Sequence, residues 1–164
     1  MARIVKPLAL IAKPGDALIG RLVATRHPKK GATSMSTTLF VNLPVSDLER
    51  SKEFFTALGF DFYGMTEDMA SVIISERTQV MLLAQPTFAG YAQHQVADPA
   101  KSTQMILVLG LADPKEVDEL VDKALAAGAS AVGEPMTEGG RYQRGFADPD
   151  GHQWSALCLA APEK

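Results

Sequence analysis

Hydrophobic and polar residues alternate with a period of two from residue 38 onward, and twice along the chain this alternation changes to helical spacing. The first alternating stretch, Thr38–Val45, predicts a strand with one buried face. Asp47 predicts the cap of a helix that runs from Leu48 to about Leu58 and ends at Gly59, because glycine readily takes the left-handed conformation that follows a helix. Three short strands are expected next: Phe60–Tyr63, Met69–Ser75 and Gln79–Ala84.

The second half of the chain repeats this order of elements. A strongly apolar strand is expected at Gln104–Leu111. Asp113 followed by Pro114 predicts the start of a second helix, and Gly128 predicts its end. Three further strands are expected: Ser130–Val132, Tyr142–Ala147 and His152–Leu159.

A strand, a helix and three strands written twice predict two similar modules, each burying an apolar face under its own helix. The fold class is therefore α+β, with two tandem βαβββ modules. We assign module one to residues 38–86, a polar linker or mobile flap to 87–102, and module two to 103–160, all within a single domain spanning 36–164.

Charge is distributed unevenly along the chain. Residues 1–35 hold seven basic side chains and one acidic one, whereas the whole chain has a net charge of −3. This predicts a basic, poorly ordered N-terminal extension, unless Met35 is the true initiator. We expect no nucleic acid and no membrane as partners, because no aromatic residue interleaves these charges and no apolar run approaches the roughly 20 residues that span a bilayer. The single cysteine, Cys158, excludes an intrachain disulfide and fits the cytoplasm.

Two segments carry a resemblance to a known family. The run Phe40–Leu48 resembles a first strand and helix start of the vicinal oxygen chelate superfamily, and Phe146–His152 looks like its last hairpin. That superfamily includes glyoxalase I, extradiol dioxygenases, fosfomycin-resistance enzymes and bleomycin-resistance binding proteins. The resemblance covers residues 38–160 and implies the glyoxalase-like fold, in which the two modules form a cupped mixed sheet with helices outside.

The resemblance also implies where a metal ion would be bound. Metal-dependent members hold one divalent ion by His and Glu side chains on the first and last strands of both modules. The corresponding positions here are Phe40, Leu82, Ile106 and Ser155, and no His, Asp, Glu or Cys lies within two residues of any of them. We therefore expect no metal cofactor, with a divalent metal as the main alternative.

The alternation predicts which residues line the cup. The inward positions are mostly apolar, with a few neutral hydrogen-bonding groups, as in a small-molecule pocket. They are Thr38, Phe40, Asn42, Leu82, Gln104, Ile106, Gln153 and Ser155. Tyr142 and Arg144 share a strand face and would add an aromatic wall and a positive charge, although a surface ion pair explains Arg144 equally well.

Other polar residues have simpler interpretations. His94 lies in the flap, as a solvated histidine or as an acid–base group. His152 is expected to be a neutral imidazole hydrogen-bonded near the last turn. Asp148 and Asp150 belong to that turn, where we expect them to accept hydrogen bonds from the local backbone.

Three functions remain open at this point. The favoured hypothesis is metal-free binding of a small aromatic or amphipathic molecule, as in the bleomycin-resistance proteins; whether the chain is an enzyme stays open, with the balance against the metal chemistry of the family. The second is a diverged lyase, isomerase or dioxygenase-like enzyme of the lactoylglutathione lyase type, with Tyr142, Arg144 or His94 carrying the chemistry. The third is a structural or regulatory module whose cavity is filled by side chains. The apolar strand Met105–Leu109 leaves room for a homodimer, and a monomer also remains open.

Overall fold

The computed structural model describes residues 37–159 of the 164-residue chain. The predicted basic extension, including Met35, and the last residue assigned to module two lie outside the described residues. Module one contains β1 (Leu39–Val45), α1 (Leu48–Ala57), β2 (Phe62–Tyr63), β3 (Met69–Ser75) and β4 (Thr78–Ala84). A helix, α2 (Gln85–Tyr91), follows. Module two contains β5 (Ile106–Gly110), α3 (Pro114–Ala126), β6 (Ser130–Glu138), β7 (Arg141–Ala147) and β8 (Gln153–Leu159).

Each module forms a four-stranded mixed sheet, and the two sheets have the same strand order. The orders are β1-β4-β3-β2 and β5-β8-β7-β6. In both sheets the first strand runs parallel to the last, and the other neighbours are antiparallel. The predicted α+β fold with two tandem βαβββ units is therefore confirmed.

The two long helices begin at the predicted caps. The Asp47 carboxylate accepts a hydrogen bond from the Arg50 backbone N–H at 3.1 Å, and the Asp113 carboxylate accepts one from the Glu116 N–H at 2.9 Å. Each bond satisfies a backbone donor that has no partner within the helix. Gly59, just after α1, has the positive φ that its position requires.

A shared aromatic core joins the modules. Phe54 and Phe55 of α1 pack against Phe146 and Trp154 of module two, with ring centroids 6.3 Å and 5.4 Å apart respectively. All four side chains are at most 2% exposed. Replacing one such aromatic residue by alanine typically costs about 3–5 kcal/mol. This core fixes the two modules relative to each other and so positions any site between them.

Two elements differ from the sequence-based expectation. Helix α2 occupies Gln85–Tyr91, where a linker without helix was expected from residue 87, and none of its residues is buried. A helix without a buried stripe has no apolar periodicity to reveal it. Strand β6 extends to Glu138 instead of ending at Val132, because the Gly139–Gly140 turn, with φ values of +57° and +75°, closes a two-residue hairpin with β7. Among residues 37–159, no helix is both long enough and apolar enough to cross a bilayer.

Candidate ligand-binding cavity

A cavity of about 270 Å³ lies where the two modules meet. Its first wall is the end of β1, from Asn42 to Pro44. Its second wall is Phe88 of α2 together with parts of the 92–105 segment, and its third is the start of β8 with the preceding Gly151 and His152. The strand alternation explains the first wall, because Leu43 and Val45 point into the core and leave Asn42 on the other face.

Asn42 presents an unused hydrogen-bond acceptor at this cavity. Its Oδ1 atom is shielded from solvent and accepts no hydrogen bond from any residue in the range 37–159. A buried acceptor without a donor costs about 1–3 kcal/mol of folding free energy, so such atoms are rare. Because this atom has almost no accessible surface, it belongs to the interior of the wall and not to the surface that a ligand would touch.

The remaining lining combines apolar side chains with neutral polar ones. Five side-chain amides line the cavity: Asn42, Gln93, Gln95, Gln104 and Gln153. The apolar contribution comes from residues such as Pro44, Phe88, Val96 and Met105. None of the described lining residues is Asp, Glu, Lys or Arg. The cavity therefore matches an uncharged amphipathic molecule better than an ion.

His152 is fixed as part of the wall. Its side chain is largely buried, and its Nε2 atom lies 2.7 Å from the carbonyl oxygen of Pro44. A carbonyl oxygen only accepts, so Nε2 carries the hydrogen in this contact. The bond crosses from module two to module one, and the histidine is hydrogen-bonded near the turn, as expected from the sequence.

The buried carboxylate of Asp148 holds the same wall in place through hydrogen bonds. Its carboxylate accepts hydrogen bonds from the Trp154 Nε1–H and from the backbone N–H of His152, both at 3.0 Å. Burial raises the pKa of this carboxyl, and the proximity of His152 and the hydrogen bonds that the carboxylate accepts oppose that rise. The turn and the first residues of β8 are thus held by buried hydrogen bonds.

The structure brings together only part of the predicted pocket. Asn42, Gln104, Gln153 and His94 all line the cavity. Thr38 precedes β1, and Phe40 and Ile106 are 46% and 51% exposed on strands that continue away from the cavity. These three residues do not belong to the lining set.

Leu82 requires a correction. It pairs directly with Leu43 across the parallel β1–β4 ladder, and both are buried in the core. Paired residues share a face of the sheet, so Leu82 lies with Leu43 on the core face and is not in the lining, and Met81 is the residue of β4 that lies beside Asn42. The sequence-based placement of β4 against β1 was shifted by one residue, and a shift of one residue moves a side chain to the opposite face of the sheet.

Tyr142 and Arg144 also lie on the other face of their sheet. Arg144 pairs with Ala156 of the core, and its guanidinium binds the carboxylates of Asp118 and Asp122 on α3, both at 2.9 Å. The Tyr142 hydroxyl donates to Asp118 at 2.7 Å, which, together with the Arg144 contact, lowers the pKa of Asp118. The surface ion pair is therefore the correct interpretation of Arg144, and neither residue forms a cavity wall.

Ser155 is buried and lies outside the lining. Its hydroxyl is 3.4 Å from the carbonyl oxygen of Arg144, a long hydrogen bond at best. Ser155 pairs with Val108 and Gly145 on the face of module two that faces away from the aromatic core.

Comparison with known proteins agrees with this geometry. The family model described as Glyoxalase/Bleomycin resistance protein/Dioxygenase superfamily matches residues 37–156, which include both modules. The chain belongs to this superfamily. No curated protein sequence matches the chain significantly.

Solved structures share the superfamily fold. Hypothetical protein SA1046 from S. aureus is 33% identical, with a TM-score of 0.67 over 74% of this chain and 93% of that one. A glyoxalase-related enzyme from Fulvimarina pelagi is 19% identical, with a TM-score of 0.66 over 74% and 87%. TnmS3, an antibiotic binding protein from Streptomyces sp. CB03234, is 20% identical, with a TM-score of 0.58 over 79% and 100%. At 19% and 20% identity, the last two structures show only that the fold is shared.

The metal-binding positions of the superfamily do not fit a metal here. In the structure Phe40 and Ile106 are exposed hydrocarbon side chains, Leu82 is core, and Ser155 is a buried hydroxyl that points to a carbonyl oxygen. Across residues 37–159, no three His, Cys, Asp or Glu side chains are grouped so as to hold an ion. Divalent metals of this superfamily need imidazole and carboxylate donors, and these four positions supply none.

Several lining residues were not found from the sequence. Phe88 escaped because α2 has no periodic signal, and Gln93 and Gln95 were assigned to a linker without individual roles. The available signal was the cluster of amide side chains around His94, which is unusual in a segment whose only task is to connect two modules.

Proposed function

We propose that this superfamily member binds a small aromatic or amphipathic molecule in the cavity beside Asn42, without a resident metal ion. The observation that carries the proposal is a cavity whose lining combines apolar surface with five amide side chains and has no Asp, Glu, Lys or Arg among the described residues. Binding sites for small molecules combine apolar walls with a few placed polar groups in this way.

Two further observations support binding over metal chemistry. The positions that carry metal ligands in relatives hold hydrocarbon and hydroxyl groups here. TnmS3, which shares the fold, is described as an antibiotic binding protein, so the fold is compatible with a binding role.

The test is a titration of the purified chain with indole, quinoline and coumarin, in which saturation-transfer NMR detects the bound probe. Ala97→Phe places a large side chain in the lining and is expected to abolish binding of these probes. Ala126→Phe, at an exposed position at the end of α3, makes the same change elsewhere and is expected to leave binding intact. Equal effects of the two variants, or no binding to the wild-type chain, would contradict the proposal.

Metal independence is tested on the same preparation. Elemental analysis is expected to find well under one divalent ion per chain, and dialysis against EDTA is expected to leave the probe affinities unchanged. A stoichiometric ion whose removal abolishes binding would show that the cavity depends on a metal.

We also propose that the chain forms a homodimer through the open face of module two. Ile106 and Val108 of β5 are 51% and 53% exposed, and Leu159 on the neighbouring β8 is 71% exposed on the same face. Exposed apolar residues that share one face of a sheet are a feature of association surfaces. The occupant we propose is a second copy, because a twofold axis through this face would cover the same residues on both chains at once.

Light scattering coupled to size exclusion tests the dimer. Val108→Glu is expected to give a monomer, because two buried glutamates would face each other across the axis. Met65→Glu, at a similarly exposed position in module one, serves as the control and is expected to remain a dimer. A wild-type chain that elutes as a monomer at high concentration contradicts this part.

A further inference from the structure

One wall of the cavity is held much less firmly than the others. We call it the strap and define it as residues 85–97, which are α2 and the six residues that follow it. Phe88 and all residues from 92 to 97 belong to the cavity lining. Even so, none of the residues of the strap is buried.

The opposite wall is continuous with the core. Leu43 and His152 are buried, and the Nε2 atom of His152 is hydrogen-bonded to the carbonyl oxygen of Pro44 at 2.7 Å. The carboxylate of Asp150 accepts two further hydrogen bonds from Ser46, which join the same turn to the start of α1. Movement at this cavity is therefore expected on the side of the strap.

Among residues 37–159, a single hydrogen bond joins the strap to the rest of the chain. The Thr87 hydroxyl donates to Asp68 Oδ2 at 2.9 Å. Asp68 precedes β3, and its Oδ1 atom accepts from the Thr66 hydroxyl at 2.7 Å. The hydrogen bonds from Thr66 and Thr87 hold the pKa of Asp68 below its usual 3.8, so the acceptor is charged at neutral pH.

The helix within the strap has little stability of its own. It has seven residues, contains Gly90 and lacks a side-chain cap. Isolated helices of this length do not persist in water, and a glycine weakens a helix further. Segments with few buried contacts and few hydrogen bonds to the rest of a fold are the ones that open locally.

The chain is held again directly after the strap. The Lys101 backbone N–H donates to the carbonyl oxygen of Asp98 at 3.0 Å, and the Thr103 hydroxyl donates to Gln153 Oε1 at 3.3 Å. The Ala100 backbone lies close against the last turn of module two. We therefore expect residues 98–105 to stay in place when the strap moves.

We propose that the strap is a lid, that the hydrogen bond between Thr87 and Asp68 is the clasp that holds it closed, and that a ligand enters and leaves the cavity when this clasp is released. The role in ligand entry rests on the proposed function, whereas the opening is a property of the free protein. Neither Thr87 nor Asp68 belongs to the cavity lining, so the clasp acts on access and not on contact with the ligand.

Limited digestion of the free full chain by subtilisin tests the opening. A protease cuts an extended segment, so a cut inside the strap requires that the strap first leaves the body of the protein. Within residues 37–159, the first cut is expected in the strap. Thr87→Val keeps the shape of the side chain and removes the donor, and it is expected to speed this cut about threefold to tenfold, as for the loss of one hydrogen bond.

Thr66→Val is the matched control, because Thr66 donates to the other oxygen of the same Asp68 carboxylate and lies outside the strap. It is expected to change the rate of this cut far less than Thr87→Val does. Equal acceleration by the two variants, or a first cut elsewhere within residues 37–159, overturns the proposal.

The rates of quinoline binding, measured from NMR line shapes, test the link between the strap and the cavity. Thr87→Val is expected to raise the association and dissociation rates together, about threefold to tenfold each, and to leave the affinity nearly unchanged, because the open state remains a minor population. Loss of a direct contact with the ligand would instead change mainly the dissociation rate. A weaker affinity in Thr87→Val with an unchanged association rate therefore overturns the proposal.

The two measurements separate the lid from the function on which its role rests. If quinoline does not bind the wild-type chain, the proposed function fails, and the digestion still decides whether the strap opens. If quinoline binds and Thr87→Val is cut in the strap at the wild-type rate, the lid is overturned and small-molecule binding stands.

Discussion

Asp150 and Ser46, 104 residues apart in the chain, are joined by two hydrogen bonds that connect the last turn of module two to the start of α1. The Asp150 carboxylate accepts from the Ser46 backbone N–H at 2.8 Å and from its hydroxyl at 2.6 Å. It also accepts from Ser51 Oγ at 2.9 Å and from the Arg50 guanidinium at 3.0 Å. One largely buried carboxylate thus holds the first turn of α1 against the turn that precedes the cavity wall.

Asp150→Ala is expected to lower the free energy of unfolding by about 2–4 kcal/mol, because it leaves several donors at the module junction without an acceptor. The side chain of Asp150 is 5% exposed, which limits replacement of these bonds by water. Urea unfolding followed by the fluorescence of Trp154, the chain's one tryptophan, measures the change. Glu49→Ala, which breaks an exposed pair with Lys52 at the start of the same helix, is the control and is expected to cost less than about 1 kcal/mol.

The two aspartates of the turn are expected to affect acid stability in opposite directions. Burial raises the pKa of Asp150. The hydrogen bonds from Ser46 and Ser51 and the charge of Arg50 lower it by more, so that the net pKa is below the ordinary 3.8. Its contribution is therefore fully present above pH 3.8 and is lost as the pH falls through the folded pKa. Burial gives Asp148 a pKa above 3.8 in the folded protein. Its carboxyl therefore ionises more easily in the unfolded chain, which reduces stability as the pH rises from 3.8 through the folded pKa.

Charge-neutral variants separate these contributions. Asp150→Asn is expected to flatten the acid side of the stability curve below pH 3.8, whereas Asp148→Asn is expected to steepen the loss of stability on acidification, because it removes the opposing contribution. Urea midpoints measured across the acid range check both changes. Parallel curves for the wild-type chain and both variants would show that neither carboxyl changes its pKa on folding.

These carboxylates also show what sequence reasoning reached and what it missed. The Asp148–Gly151 turn was expected, with hydrogen bonds to the local backbone, and Asp148 does accept the backbone N–H groups of Asp150 and His152. The contact between Asp150 and α1 was not expected, because nothing in a local pattern shows which distant helix a turn faces. Fold class followed from periodicity and caps, which are local properties.

The candidate site was predictable to the extent that it depends on strand alternation within one strand. Asn42 and Gln153 lie in the cavity lining, on the face that alternation within each strand predicts, whereas Leu82 lies on the core face because the register between two strands is not written in either strand alone. Tyr142 and Arg144 were placed on the same face of β7, which is correct, but that face packs against α3. The wall formed by α2 had no signal, because that helix buries no residue.

Tyr142 and Arg144 provide a test of this assignment of faces. Tyr142→Phe and Arg144→Met are each expected to lower the free energy of unfolding by about 0.5–1.5 kcal/mol, because the partners Asp118 and Asp122 are 45% and 66% exposed and water replaces the lost contacts in part. The affinity for quinoline is expected to stay within about twofold of the wild-type value, since distant sites act independently. A large loss of affinity in either variant would place these residues in the ligand site.

Gly151 is the residue where backbone conformation and the cavity wall depend on each other. It has a φ of +92°, lines the cavity, and a Cβ atom added to it would lie 2.8 Å from Ala100 Cα in the segment opposite. Gly59 has the same φ of +92° after α1, with no atom within 4 Å of such a Cβ. The two glycines therefore have the same backbone conformation, but only Gly151 is in close contact with another segment.

Alanine at each position therefore separates the two effects. Gly59→Ala is expected to cost about 1–2 kcal/mol for the left-handed conformation alone and to leave ligand binding unchanged. Gly151→Ala is expected to cost about 1 kcal/mol or more in addition, because the Ala100 backbone must move, and to weaken quinoline binding by displacing the segment that carries His94 and Gln95. Urea unfolding and titration of both variants measure the difference. If Gly151→Ala matched Gly59→Ala in stability and bound quinoline like the wild-type chain, the 92–105 segment would not be packed against this turn, and the cavity would lack its second wall.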